Sequence, residues 1–153
     1  MSKKTKENLI HFFEELLKKS NVLDFEYIDL PHDNDVNFIV MLKTTENIRL
    51  KLVLYCSDVK SITIYCPTLY KLRDSDSAMF TLNAINEVNS KIALGKIYLN
   101  SENNSVISYI NRVLFCDLTT ELTPDLLNDY MSAFLLTSLE FYKKMRQIVD
   151  DKE

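Results

Sequence analysis

Apolar side chains near the start of the chain recur with the spacing of a helix. The positions fall at i, i+3, i+4, i+7 and i+8, which lie together on one face of an α-helix. Charged side chains lie mostly on the opposite face. The pattern predicts a helix over residues 5–19 that buries the apolar face, which consists of Leu9, Phe12, Phe13, Leu16 and Leu17.

From residue 25 the period of the apolar positions shortens from the helical period to the two-residue period of strands. Because the connections between the alternating segments are short, we expect neighbouring strands to be antiparallel. Pro67 is expected to end the last of them. The pattern predicts four strands, at Phe25–Ile28, Val36–Lys43, Ile48–Cys56 and Ile62–Tyr65.

The second half of the chain predicts a helix, two strands and a closing helix. Serine and aspartate at residues 74–77 can cap the first of these helices, and the strands follow at Lys96–Leu99 and Val106–Phe115. Thr123 and Pro124 are typical of a helix start, and this helix is expected to reach about residue 149. The apolar positions predicted for the first helix are Met79, Leu82, Ile85, Val88 and Ile92. Those predicted for the closing helix are Leu126, Leu127, Tyr130, Met131, Phe134, Leu135, Phe141, Tyr142 and Met145.

The predicted order of elements is α-β-β-β-β-α-β-β-α. Such an order favours the α+β class, with an antiparallel sheet on which helices pack. The chain contains no linker, internal repeat or low-complexity tract that would divide it. We therefore expect residues 1–153 to form a single domain.

The composition argues against most familiar catalytic sites. The chain has one glycine, Gly95, whereas phosphate-binding loops and dinucleotide fingerprints need several. The two histidines, His11 and His32, show no spacing typical of a triad or a zinc site. The segment Asp33-x-Asp35-x-Asn37 lacks the glycine and the glutamate of a calcium loop. We expect no enzyme activity, no metal site and no cofactor.

Charge and hydropathy indicate which classes of partner the protein does not bind. The net charge is −4, which disfavours broad binding to nucleic acid. No apolar run approaches the roughly 20 residues that cross a bilayer, and the start of the chain lacks the pattern of a secretion signal. We expect a cytoplasmic protein that binds neither nucleic acid nor membrane. The cysteines are expected to be reduced and buried.

Several strands are apolar or aromatic on both alternating sets of positions. An antiparallel sheet packed on one side needs only one apolar face, because the other is normally wet. Either helices of the chain itself or a protein partner would have to cover the second set. The residues predicted for the second set are Val53, Tyr55, Thr63, Tyr65, Ile107, Tyr109, Val113 and Phe115.

From Asp76 onward the chain resembles the YbjN family, whose fold is similar to that of type III secretion chaperones. The resemblance lies in Leu82–Asn89, in Leu94–Leu99, in Val106–Val113 and in Leu122–Pro124 with the helix that follows. It covers about half of the chain. It implies a chaperone-like fold and a chaperone-like or regulatory role. Similar secretion chaperones are homodimers that hold extended segments of other proteins. Within the matching helix, Asn86 and Asn89 are expected to hydrogen-bond a neighbouring loop or strand end.

Two functional hypotheses follow. The first is a non-enzymatic protein-binding module, bacterial or phage-encoded and expected to be a homodimer, that binds a protein client. Its predicted contact residues are Tyr55, Tyr65, Tyr109, Phe141 and Tyr142. The second is an acidic inhibitor or decoy that occupies a basic groove on a target protein. Its predicted contact residues are Asp117, Glu121, Asp125 and Asp129.

Overall fold

The computed structural model describes residues 1–30 and 34–150, and of residues 147–150 only the backbone. His32, and Asp33 of the segment compared with a calcium loop, lie outside this part of the chain. The chain forms the elements α1 (Lys3–Lys18), β1 (Asp24–Ile28), β2 (Val36–Lys43), β3 (Arg49–Asp58), β4 (Ser61–Lys71), α2 (Ala78–Lys91), β5 (Lys96–Leu99), β6 (Val106–Leu114), α3 (Leu118–Glu121) and α4 (Pro124–Asp150).

The strands form one antiparallel six-stranded sheet with the order β1-β2-β3-β4-β6-β5. The α+β class and the antiparallel sheet are confirmed. The sequence did not predict α3, which is a single turn. Asp117 caps it by accepting a hydrogen bond from Thr119 N at 3.0 Å, and Glu121 Oε2 accepts one from Asp117 N at 2.6 Å. This reciprocal capping stabilises a helix too short for apolar periodicity to reveal.

Helices α1, α2 and α4 bury their apolar side chains in one cluster with one face of the sheet, here called the covered face. The predicted stripe of α1 is confirmed, with Leu9, Phe13, Leu16 and Leu17 buried. The strands contribute Leu52, Leu54, Ile62, Ile64 and Tyr109, all at most 1% exposed. The main hydrophobic cluster therefore lies between the helices and this face.

The sequence predicted the buried face of helix α2 in part. Ile85 and Val88 are buried as predicted, and Ile92 packs partly buried against the core, but the other two predicted positions are exposed. Met79 is 73% exposed and Leu82 is 47% exposed. The side chains that α2 buries are Thr81, Ala84, Ile85 and Val88. Thr81 and Ala84 are small side chains that the pattern of large apolar residues did not predict to be buried.

Strand β4 continues past Pro67, where the sequence predicted its end. The pairing with β6 is irregular between Cys66 and Tyr70, and a proline is tolerated in a sheet at such an irregularity because no ladder hydrogen bond is required of it there. Pro67 O accepts a hydrogen bond from Ser108 Oγ at 2.7 Å. The extension carries Leu69, which is 1% exposed, into the core.

The junction between α2 and β5 depends on Asn89. Its Nδ2 donates to Ile97 O at 2.8 Å, and its Oδ1 accepts from Ile97 N at 2.9 Å. The side-chain amide thus pairs with the backbone of an edge strand as another strand would. This confirms the expectation that an amide on this helix fixes how the helix meets the sheet. The other predicted amide, Asn86, is exposed.

Candidate functional site

The second face of the sheet, here called the open face, carries a shallow hollow of about 380 Å³ near its centre. None of the side chains that line it comes from a helix. Burial of the helices' apolar side chains is confined to the covered face, so no described helix covers the hollow. It is lined by Asn37, Val53, Tyr55, Thr63, Tyr65, Tyr98 and Ile110.

Strand register explains which side chains share this face. Val53 pairs with Tyr65, and Tyr55 with Thr63. Tyr65 pairs in turn with Ile110. Because paired residues in an antiparallel sheet project to the same side, these apolar and tyrosine side chains must lie together. The sequence had correctly placed Tyr55 and Tyr65 on one face.

Tyr109 was predicted to lie with them, and this prediction is wrong. Tyr109 pairs with Cys66, which places it on the covered face, where it is fully buried. Its ring centroid is 4.9 Å from that of Phe134, and burial raises the pKa of its hydroxyl to about 12. Ile107 and Val113 share this face by alternation along β6. The sequence alone could not show which alternating set of β6 side chains lies on which face, because that depends on how β6 pairs with its partner strand.

Phe141 and Tyr142, the two contact residues predicted on the closing helix, do not lie on the open face. Phe141 is fully buried and packs edge to face on Tyr70, with ring centroids 5.5 Å apart. Tyr142 is half-buried, and its hydroxyl donates to Leu69 O at 2.6 Å. These two rings attach α4 to β4 and take no part in the open face.

Sequence reasoning missed Tyr98 and Ile110 as residues of the hollow. Tyr98 pairs with Ser108, and Lys96 pairs with Ile110, so β5 brings both of its outward side chains to the open face. The pKa of Tyr98 is raised mainly by burial and further by a hydrogen bond with Tyr65. Ile110 is 39% exposed. The only signal in the sequence was that β6 has apolar residues in both of its alternating sets.

One line of paired residues crosses the whole open face and is here called the central row. It begins with an exposed acid on β1, continues through partly exposed apolar and tyrosine side chains, and ends with an exposed base on β5. Each member pairs with the next in the sheet. The row reads Glu26, Ile39, Val53, Tyr65, Ile110 and Lys96.

A second apolar hollow, of about 320 Å³, lies on the helical side between the end of α2 and the middle of α4. Its exposed side chains include Leu136 at 64% and Leu94 at 38%. Lys91 and Glu140 also line this hollow. Because it lies on the opposite side of the molecule from the open face, it provides an internal comparison for any test of binding.

The acidic residues of the second hypothesis are divided between two roles. Asp117 and Glu121 cap α3 through their own side chains. Asp125 and Asp129 are exposed on α4. Half of the set is thus engaged in local structure, and the hypothesis of an acidic inhibitor or decoy stays a prediction.

Thiol and metal chemistry add no further candidate. Cys56 and Cys66 are buried, and burial raises the pKa of each thiol to about 12. Cys116 is exposed, contrary to the expectation that all three would be buried. Among the side chains that the structure describes, those of residues 1–30 and 34–146, no three from histidine, cysteine, aspartate or glutamate gather as a metal site would require. No helix in the same part of the chain has the length and apolar character needed to span a membrane.

Comparisons of the chain with protein-family models, with curated proteins and with solved structures found no match. The resemblance to the YbjN family, and to the fold of secretion chaperones, therefore stays a prediction.

Proposed function

We propose that this chain is a non-enzymatic protein-binding module with a chaperone-like or regulatory role, and that the open face is its contact surface. The observation that supports this most directly is the composition of the hollow. Val53, Tyr65 and Ile110 present apolar and aromatic area on a face that no described helix covers. Such a face is normally polar in an antiparallel sheet with helices on one side only.

Binding at the open face would be driven by the removal of apolar surface from water. Burial of apolar surface contributes about 25 cal/mol per Å², and a contiguous exposed patch typically marks an interaction site. Tyrosine suits such a surface because its ring is rigid and apolar while its hydroxyl can still hydrogen-bond. The strands hold these side chains in a fixed arrangement, so little ordering is required when a partner binds.

The test compares two charge insertions at exposed apolar positions on opposite sides of the molecule. Ile110→Asp places a carboxylate in the hollow, and Leu136→Asp places one on the helical side. The probe is reduced insulin B chain, whose aggregation is followed by light scattering. We expect the unsubstituted protein and Leu136→Asp to slow aggregation, and Ile110→Asp to lose that effect. Val53→Ser, which removes apolar area without adding charge, should give a partial loss.

Circular dichroism and urea unfolding of each variant verify that the fold is retained. If Leu136→Asp loses the effect and Ile110→Asp keeps it, the contact surface lies on the helical side and the proposal is wrong. Binding of a single-stranded oligothymidylate that Ile110→Asp abolishes would also overturn it. In that case the tyrosines would act as stacking platforms for bases.

A further inference from the structure

Charge is distributed unevenly across the open face. Glu26, at one end of the central row, lies on edge strand β1, and Lys96, at the other end, lies on edge strand β5. The ends are five strand spacings apart, or roughly 24 Å at the usual separation of about 4.8 Å. Between them the row carries no charge, only Ile39, Val53, Tyr65 and Ile110.

The central row of one copy matches, in charge and in apolar character, the central row of a second copy that runs in the opposite direction. The middle of the six-stranded sheet falls between β3 and β4. A two-fold axis parallel to the strands at that point lays the row of one copy, reversed, over the row of another. Glu26 of each copy then faces Lys96 of the second copy. In the centre, Val53 of one copy faces Tyr65 of the other, so apolar surface meets apolar surface.

The neighbouring rows are compatible with the same arrangement. The axis sets Asp24, which shares the edge strand with Glu26, against Tyr98 of the second copy, whose hydroxyl can donate to a carboxylate. It sets Arg112 against the amide of Asn37. No pair of like charges is brought together in these three rows. One row further, at the ends of β3 and β4, the axis sets Arg49 over Lys71 of the second copy, which is one repulsive pair at the periphery. An axis perpendicular to the strands would instead place Glu26 over Glu26 and Lys96 over Lys96, which is repulsive.

We propose that the occupant of the open face is a second copy of this chain, packed sheet on sheet about a two-fold axis parallel to the strands. The inference rests on the proposed role of the open face as a protein contact and names the protein. Packed sheets lie about 10 Å apart with strands within roughly 30° of alignment. Lysine and glutamate side chains are long enough to meet across that distance. The same patch serves both copies, as a closed two-fold dimer requires.

The dimer and a client compete for one surface in this arrangement. Dimerisation covers the hollow, and dissociation exposes it. The dimer is therefore the resting form, and suppression of aggregation should increase per chain as the protein is diluted below its dimer dissociation constant.

A charge-swap experiment tests the geometry. Sedimentation equilibrium over a range of concentrations gives the dimer dissociation constant of the unsubstituted chain, of Glu26→Lys, of Lys96→Glu and of the double variant. Each single reversal turns two attractive contacts per dimer into repulsive ones, so we expect each to weaken the dimer by roughly tenfold. The double variant restores opposite charges and should return to within about threefold of the original constant. Glu7→Lys, a reversal on an exposed position of α1, should leave the constant unchanged.

The outcomes separate this inference from the proposed function. If the unsubstituted chain is a dimer but the double variant is weaker than either single variant, the two-fold arrangement is overturned. If it is a monomer throughout, yet Ile110→Asp loses suppression of insulin aggregation, the second copy is overturned and the protein-binding role stands. If it is a monomer and Ile110→Asp has no effect on aggregation, both are overturned.

Discussion

The ring of Tyr109 lies directly against the backbone of Gly95. A Cβ atom on Gly95 would come within 2.7 Å of Tyr109 Cε2 and closer still to the phenolic oxygen. Gly95 also has a φ of +77°, in the left-handed region that residues with a side chain rarely adopt. A glycine with positive φ is common where a helix ends. The second requirement, the absence of a Cβ beneath a buried ring, comes only from the packing of β6.

Gly95→Ala should therefore lower the free energy of unfolding by roughly 2–4 kcal/mol, because backbone strain adds to overpacking. Urea unfolding followed by circular dichroism measures the loss. The matched comparison is Gly95→Ala in a Tyr109→Leu background, where the ring no longer occupies the space. There the additional cost of the alanine should fall to about 1 kcal/mol, the part due to φ alone. Equal costs in both backgrounds would show that the ring contact is unimportant.

Asn89→Ala should expose the free edge of β5. The substitution removes both hydrogen bonds between the side-chain amide and the backbone of Ile97, and we expect a loss of roughly 1–3 kcal/mol in the free energy of unfolding. Hydrogen exchange gives a second readout, since the amide of Ile97 should lose protection while the amides of β3 keep theirs. Asn86→Ala, on an exposed position of the same helix, should change stability by less than about 0.5 kcal/mol. A similar effect of the two substitutions would contradict this role for Asn89.

The pairing of Asp76 predicts how stability depends on pH. Its side chain, only 1% exposed, accepts hydrogen bonds from Arg73 N at 2.8 Å and from the hydroxyl of Tyr70 at 3.2 Å. Burial by itself would raise the pKa of this carboxyl, but the hydrogen bonds and charge of Arg73 outweigh burial, so the pKa is lowered. A carboxyl with a lowered folded-state pKa stabilises the fold above its unfolded pKa, about 3.9. That contribution disappears as the pH falls through the folded-state pKa.

Asp76→Asn should accordingly be less stable than the unsubstituted protein at pH 7, and the difference should shrink as the pH is lowered below about 4. Urea midpoints measured at a series of pH values give the two curves. Asp74→Asn, at an exposed neighbouring position, serves as the control and should run parallel to the unsubstituted protein. A difference that stays constant with pH would mean that the charge of Asp76 contributes nothing.

The local pattern of apolar residues was sufficient to predict α1, the strands up to residue 65 and their buried faces, because apolar periodicity indicates directly which side of an element is buried. It was insufficient for α2, where Met79 and Leu82 were expected inside and Thr81 and Ala84 are buried instead. Thr81 and Ala84 are small, and the pattern of large apolar side chains does not reveal that such residues are buried. The short helix α3 was missed for a related reason, since its stability comes from capping by Asp117 and Glu121.

The residues of the candidate site can also be separated into those that the sequence could place on a face of the sheet and those that it could not. Tyr55 and Tyr65 could be placed on one face because each lies in a strand whose alternation is clear. Tyr109, Tyr98 and Ile110 could not, because both alternating sets of β6 are apolar and β5 has only four residues. Only the pairing of β6 with β4 assigns Tyr109 to the core and Ile110 to the open face.

By itself, the sequence determined the class of elements, the excess of apolar surface and the lack of familiar catalytic motifs, since each of these depends on residue types and their spacing along the chain. The tertiary structure decided which side chains meet. Strand register is a relation between segments distant in sequence, and a shift of one residue moves every side chain of a strand to the other face. For that reason the acid of β1 and the base of β5 become ends of one row only once six strands are paired.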